Sequence, residues 1–308
     1  MFKLVSRLAA ATAIALAAGS ALAEAPAPAA APAAAETKTA TPAIWTIAKP
    51  GGGTITMFGS VHLLPPNLEW RTAAFNEAFA KADVVTFEMP LDDATSPEFM
   101  SYVQQHMMNP PGVTLSTLLT PEEKTRVEAA ATAVGAPFGM LEPFRPWMAA
   151  IQLSMGFVLK EGFDPNSGVD RKIEAEAKAA GKTLDSFETG KDQIDIFINL
   201  PPEQEKAFLV IGAAEMVDNP HMLGELVDSW AAGDTAKIDE VMNSGIESMP
   251  DLGKALLEDR NARWVDKITS VYMNDTKNYL VIVGAAHLAG DKGVPTMLRA
   301  KGIEVTGP

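Results

Sequence analysis

The sequence predicts an α/β fold with a central mixed β-sheet and flanking helices, and three observations carry that expectation. First, apolar runs end at a polar residue or a glycine: Thr54 to Phe58, Val84 to Glu88, Thr183 to Phe187 and Tyr279 to Val283 read as strands of one sheet. Second, stretches with helical periodicity alternate with these runs. Third, a helix, a glycine and a strand recur as a unit. Arg171 to Ala180 is closed by Gly181 before Thr183 to Glu188, and Val294 to Lys301 is closed by Gly302 before Ile303 to Thr306. The recurrence suggests duplicated halves with a helical insertion.

The chain opens on an address. Lys3 and Arg7 precede an apolar stretch from Leu8 to Ala18, and Ala21-Leu22-Ala23 supplies a small-x-small cleavage pattern, so residues 1–23 read as a signal peptide. An uncleaved anchor is disfavoured, because this apolar run is shorter than the roughly 20 residues a membrane span needs. Residues 24–43, nearly all Ala, Pro, Glu and Thr, form an Ala/Pro-rich linker that cannot bury a core. Residues 44–308 are long enough for one sizeable α/β domain. The expected location is therefore periplasmic or secreted, without stable membrane insertion after cleavage.

Within the domain, Ile44 to Ile47 and Thr54 to Phe58 flank Pro50-Gly-Gly-Gly53, a hairpin by composition. Helical pattern runs from Glu69 to Lys81. Pro121 to Val134 follows a capping Thr120, with Pro121 at the first position and Glu122 and Glu123 in the first turn. Arg145 to Lys160 is apolar on all sides and should be buried. Pro201 to Trp230 and Leu252 to Met273 are long helical stretches, the former interrupted near Asn219-Pro220.

The formal charge is −14, and removal of Lys3 and Arg7 makes the mature chain two charges more acidic. Nucleic acid and anionic lipid are thereby disfavoured as partners, since both need a basic face. With no cysteine in an exported chain, disulfides, a Cys nucleophile and a thiolate metal site are excluded. Any metal must be held by His and carboxylates.

Two segments share one shape: Ile55 to Leu63 contains Gly59-Ser-Val-His62, and Leu280 to Leu288 contains Gly284-Ala-Ala-His287. Each is a buried-strand pattern that stops at a glycine and delivers an imidazole three residues later. Open α/β sheets gather their sites at the carboxyl ends of strands, so residues far apart in sequence converge there. Two neutral imidazoles and a carboxylate leave an open position on a divalent ion, and His62, His287 and Glu88 fit that requirement. The glycine before each His is expected to let the backbone turn sharply toward the ion.

Taken together, Gly59-Ser-Val-His62, Glu88, Gly168-Val-Asp170, the run Phe187 to Gln193, Asp259-Arg-Asn261 and Gly284-Ala-Ala-His287-Leu-Ala-Gly290 resemble the TraB/GumN family, which is related to the Tiki metalloproteases. The resemblance spans the whole domain in order. It implies a shared fold and a metal site built from the two Gly-x-x-His motifs and an acidic residue, holding Mn, Co or Zn. It also implies a metalloprotease-like activity on a peptide or other small extracytoplasmic substrate, while the GumN label points to polysaccharide production.

Glu188 has four readings: a further ligand, a general base for water, an acceptor orienting a ligating imidazole, or a structural salt bridge to Arg260 or Arg145. Gln193 and Arg260 match polar family positions and are expected to bind a substrate carbonyl or carboxylate. Asp170 is the second candidate for the catalytic acid-base role. Asp164 to Asp170 resembles the start of a calcium loop, but Ala175 stands at its twelfth position and Pro165 inside it, so a helix-capping turn is the better reading. His106 and His221 read as ordinary loop histidines. No Gly-x-Ser-x-Gly elbow, phosphate loop or His-Glu-x-x-His helix occurs. Two function classes follow: a metal-dependent hydrolase, or a non-catalytic protein binding a metal, a haem-like group or a glycan.

Overall fold

The computed structural model describes residues 38–308 except 63, 66–67, 165–166 and 244–248. The expected signal peptide, most of the linker and part of the calcium-like loop lie outside the described residues. The strands are β1 (Lys38–Thr39), β2 (Ile44–Ala48), β3 (Thr54–Ser60), β4 (Leu68–Glu69), β5 (Val84–Phe87), β6 (Thr183–Ser186) and β7 (Tyr279–Gly284). The helices before β6 are α1 (Ala73–Lys81), α2 (Pro97–His106), α3 (Leu115–Leu118), α4 (Pro121–Ala133), α5 (Pro146–Lys160) and α6 (Val169–Ala179). After it come α7 (Gly190–Ile198), α8 (Pro202–Asp218), α9 (Met222–Ala231), α10 (Thr235–Asn243), α11 (Pro250–Gly253), α12 (Asp259–Ser270) and α13 (Val294–Ala300). A π-helical turn, Lys254–Glu258, joins α11 to α12.

The fold is α/β with a mixed five-stranded sheet in the order β2-β3-β7-β5-β6. Only β2 is antiparallel to its neighbour, which makes it the hairpin partner of β3. Gly52 and Gly53 turn that hairpin at φ 98° and 80°, backbone that glycine adopts without strain. The other four strands run parallel, with Phe58 opposite Ile282 and Phe87 opposite the same residue from the other side. All four expected strands thus lie in one sheet, and their carboxyl ends open on one edge.

Period-two alternation explains why these strands read as continuous apolar runs. Phe58, Val85, Phe87, Leu280 and Ile282 enter one core, while Ile55, Met57, Val281 and Val283 enter another on the opposite face. A parallel sheet covered on both faces needs apolar residues on both. The first core takes the long helical insertion, with Phe58 packed edge-on to Phe75 at 4.8 Å and near Trp230 at 6.2 Å. The second is closed by α12 through Trp264, Val265 and Ile268 and by α13 through Val294 and Leu298. Among the described residues, no helix is long and apolar enough to cross a membrane.

Several boundaries differ from expectation for identifiable reasons. Residues 38–43, expected in the linker, are packed: Ala40 is buried and Thr41 donates to Ala231 O at 2.7 Å. The helix expected from Glu69 starts at Ala73, because Leu68–Glu69 pair with β1 and the Thr72 hydroxyl caps Phe75 N. Ile303 to Thr306 is not a strand. Arg299 occupies the Val305 carbonyl, and only Thr306 bridges to Thr46 of β2. The cap at Thr120 forms as expected, with Glu123 completing a capping box. His106 ends α2 and bonds the Tyr102 carbonyl, and His221 is exposed just before α9.

Candidate functional site

The parallel strands bring His62, Glu88, Glu188 and His287 to the same edge, each just past the end of its strand. Asp170 joins them because the start of α6 is pinned against the His62 loop. Val169 N donates to Val61 O at 3.2 Å, and a Cβ on Gly168 would stand 2.5 Å from the His62 carbonyl. Only glycine allows that approach. Asp170 then accepts from Ser60 Oγ at 2.6 Å and contacts His62 Nδ1 at 2.8 Å.

The centre of the cluster is Arg260, which is fully buried at 0% exposure in the first turn of α12. Its Nη2 donates to Glu88 Oε2 at 2.6 Å and to Glu188 Oε1, and its Nε donates to Glu188 Oε1 and Oε2 at 2.9 and 3.2 Å. Nη1 reaches Leu256 O in the π-helical turn at 3.0 Å and His287 Nε2 at 3.0 Å. Glu188 makes the expected salt bridge to Arg260, whereas Arg145 pairs with Glu205. Gln193 Nε2 bridges Glu88 Oε2 at 3.1 Å and Glu188 Oε1 at 2.9 Å. Its buried Oε1 has no partner, so the amide acts here as a donor to carboxylates.

Both imidazoles present the same atom inward. His62 holds Asp170 on Nδ1, and His287 holds Asn261 Oδ1 on Nδ1 at 2.6 Å, leaving each Nε2 turned toward the cluster. Glu88 Oε1 accepts from Gly284 N at 2.7 Å and stands 3.8 Å from His287 Nε2. Gly284 has φ −52°, so it makes no left-handed turn. Its role is space: a Cβ there would lie 3.1 Å from Glu88 Oε1, 3.7 Å from His287 Cδ2 and 3.9 Å from His62 Nε2. Gly59 likewise serves a close approach, with Ala285 Cα 3.0 Å from where its Cβ would be. The expectation that these glycines turn the chain is corrected accordingly.

Burial would raise the Glu88 pKa, but Arg260 first, then His287, His62 and the Gly284 N–H, hold it down to about 2. Burial lowers the His287 pKa and Arg260 lowers it further, to about 3, so the ring is neutral. Burial lowers that of His62 too, yet Asp170 and then Glu88 overcome it and raise it to about 8. Three buried carboxylates, Glu88, Asp170 and Glu188, face one fully buried guanidinium. Asp170 is paired with His62, and Glu88 and Glu188 with Arg260.

Among the described residues, no three His, Asp or Glu side chains stand preassembled as a metal cage. The donor set nevertheless fits a divalent ion. Glu88 Oε1, His287 Cδ2 and His62 Nε2 border the volume that a Gly284 Cβ would fill, while Arg260 occupies Glu88 Oε2 and His287 Nε2, so an ion on those two donors would have to displace it. Gly284→Ala is accordingly expected to keep its fold, since φ −52° and ψ 137° suit alanine, yet to lose most Zn²⁺ uptake. Calorimetric titration of the metal-stripped variant checks this, and uptake equal to wild type would show that the ion sits elsewhere.

Ser60, Gly284 N, Asn261 and Trp264 were not singled out as site residues by sequence reasoning, although Asn261 lies inside one of the quoted motifs. Trp264 packs on two site residues, with its ring centroid 4.3 Å from that of His287 and 4.9 Å from the Arg260 guanidinium carbon. Trp264 lies four residues from Arg260 and three from Asn261, a spacing that puts them on neighbouring positions of one face of α12 and was the available signal for that helix facing the site.

An α/β sheet whose carboxyl edge carries two Gly-x-x-His imidazoles and a buried Arg-Glu pair defines the class of protein. The TraB/PrgY/gumN family profile matches residues 43–307, and the chain belongs to that family. It is 24% identical over 266 residues to the uncharacterized protein YbaP of Escherichia coli (strain K12), covering 84% of this chain and 92% of YbaP. YbaP of Shigella flexneri matches to the same extent. No solved structure matches the chain.

Proposed function

We propose that the chain is an extracytoplasmic metal-dependent hydrolase, with a peptide as its most fitting substrate. The single observation that supports this is the approach of three groups to the gap at Gly284, where Glu88 Oε1, His287 Cδ2 and His62 Nε2 lie 3.1, 3.7 and 3.9 Å from the place a Cβ would take. His62, His287 and Glu88 would hold the ion, which supplies Lewis acidity toward a water or a carbonyl. The chain's own residues do the rest. Asp170 orients His62, Arg260 keeps Glu88 ionised, and Gln193 ties Glu88 to Glu188. Both Glu188 oxygens lie on Arg260, while Asp170 holds Ser60 and His62, so Asp170 is the second candidate for a base that acts beside His62, whose side chain is 15% exposed.

One observation favours the second reading, a binding protein without turnover: Arg260 and Gln193 are both fully buried and consume the expected base. Metal analysis of the purified protein, followed by digestion of a peptide library with and without chelator, tests the proposal. The expected result is one divalent ion per chain and chelator-sensitive cleavage. Stoichiometric metal without any cleavage would favour the binding reading, and absence of metal would remove the metal-dependent one.

Location is part of the same proposal. If Ala21-Leu22-Ala23 is a cleavage site, the exported chain begins at Glu24. N-terminal sequencing of the exported protein is expected to read from Glu24, and a membrane-retained chain still starting at Met1 would favour the anchored alternative.

A further inference from the structure

We infer that Asn261 is a positioning residue that fixes the His287 tautomer, keeping the proton on Nδ1 and the Nε2 lone pair turned into the site. Only the metal-affinity part of this inference rests on the reading above. Asn261 is buried at 1% exposure on α12, and its Oδ1 lies 2.6 Å from His287 Nδ1. The other end of its amide donates to Lys292 O at 2.8 Å. A carbonyl can only accept, so the amide nitrogen must face Lys292 and the amide oxygen must face the ring. His287 Nδ1 therefore carries the hydrogen.

The opposite ring atom agrees. Arg260 is a donor only, and its Nη1 lies 3.0 Å from His287 Nε2, so Nε2 must be the unprotonated acceptor. A cation on Nε2 would compete with Arg260 for that lone pair, and Asn261 is the contact that still specifies the tautomer. The two histidines are held at Nδ1 by different groups: a carboxylate for His62 and a neutral amide for His287. A neutral acceptor orients the ring without adding a charge to a cluster that already holds three carboxylates.

Asn261 also latches the loop after His287 through Lys292, and two variants separate the two roles. Asn261→Asp still accepts from Nδ1 but no longer donates to Lys292 O; Asn261→Ala does neither. In the metal-free protein, a slowly exchanging, downfield imidazole N–H signal of His287, assigned by its loss in His287→Gln, is expected in ¹H–¹⁵N spectra of wild type and Asn261→Asp, and not in Asn261→Ala. Zn²⁺ affinity is expected to fall about 10- to 100-fold in Asn261→Ala, as for loss of other groups that orient a ligand, and to stay close to wild type in Asn261→Asp. Folded Asn261→Asp lacking the signal, or Asn261→Ala retaining it, would overturn the inference. If Asn261→Ala does not fold, Asn261→Asp against wild type decides. Should wild type bind no Zn²⁺, the metal reading fails while the spectra still decide the role of Asn261.

Discussion

Arg260→Met is expected to cost about 3–5 kcal/mol of folding stability, the range for removing one partner of a buried ion pair. Arg260 is 0% exposed, and its guanidinium touches Glu88, Glu188, His287 and Leu256 O. Methionine fills much of the volume but leaves two carboxylates facing each other without a countercharge. Gln193 still donates one N–H to each, which is too little for two buried charges. Arg260→Lys is expected to fall in between, because one ammonium cannot reproduce the fork that spans both Glu188 oxygens and Glu88. Urea denaturation measures both. Adding Glu88→Gln and Glu188→Gln to Arg260→Met should recover much of the loss, since neutral amides need no countercharge. A loss below about 1 kcal/mol in Arg260→Met would mean that the carboxylates find other partners or take up protons.

Much of this site was legible because sheets impose order on sequence. The apolar runs that reach Gly59 and Gly284 leave the sheet at Ser60 and Gly284, so the placement of His62 and His287 at one edge follows from strand direction. Glu88 and Glu188 follow from the same rule, one residue and two residues past β5 and β6. What sequence could not supply is which side chain faces which. Arg260 lies on a helix 172 positions from Glu88, and only the packing of α12 across the sheet, with Trp264 under the cluster, makes it their shared cation. The pairing of Glu188 with Arg260 is likewise a matter of how side chains from two elements meet. Ile303 to Thr306 failed as a strand for a local reason: its apolar pattern suits pairing, but Arg299 takes the carbonyl that pairing would use.

Replacing His62, His287 or Glu88 with Ala is expected to abolish stoichiometric Zn²⁺ binding, and Glu188→Gln to preserve it. A ligand supplies bond energy to the ion directly, whereas a group that orients a ligand changes affinity by about 10- to 100-fold. Both Glu188 oxygens are held by Arg260, with Gln193 on one of them, and a glutamine at that position still accepts from Arg260. Asp170→Asn belongs to the milder group, because an amide oxygen also accepts from His62 Nδ1. The ordering expected in calorimetric titration is therefore total loss for His62→Ala/His287→Ala, a 10- to 100-fold loss for Asp170→Asn, and near-normal affinity for Glu188→Gln. Normal uptake by the double histidine variant would remove the metal site from this edge of the sheet. Loss of uptake in Glu188→Gln would instead make Glu188 a ligand, since Arg260 would then have to release it for the ion to bind.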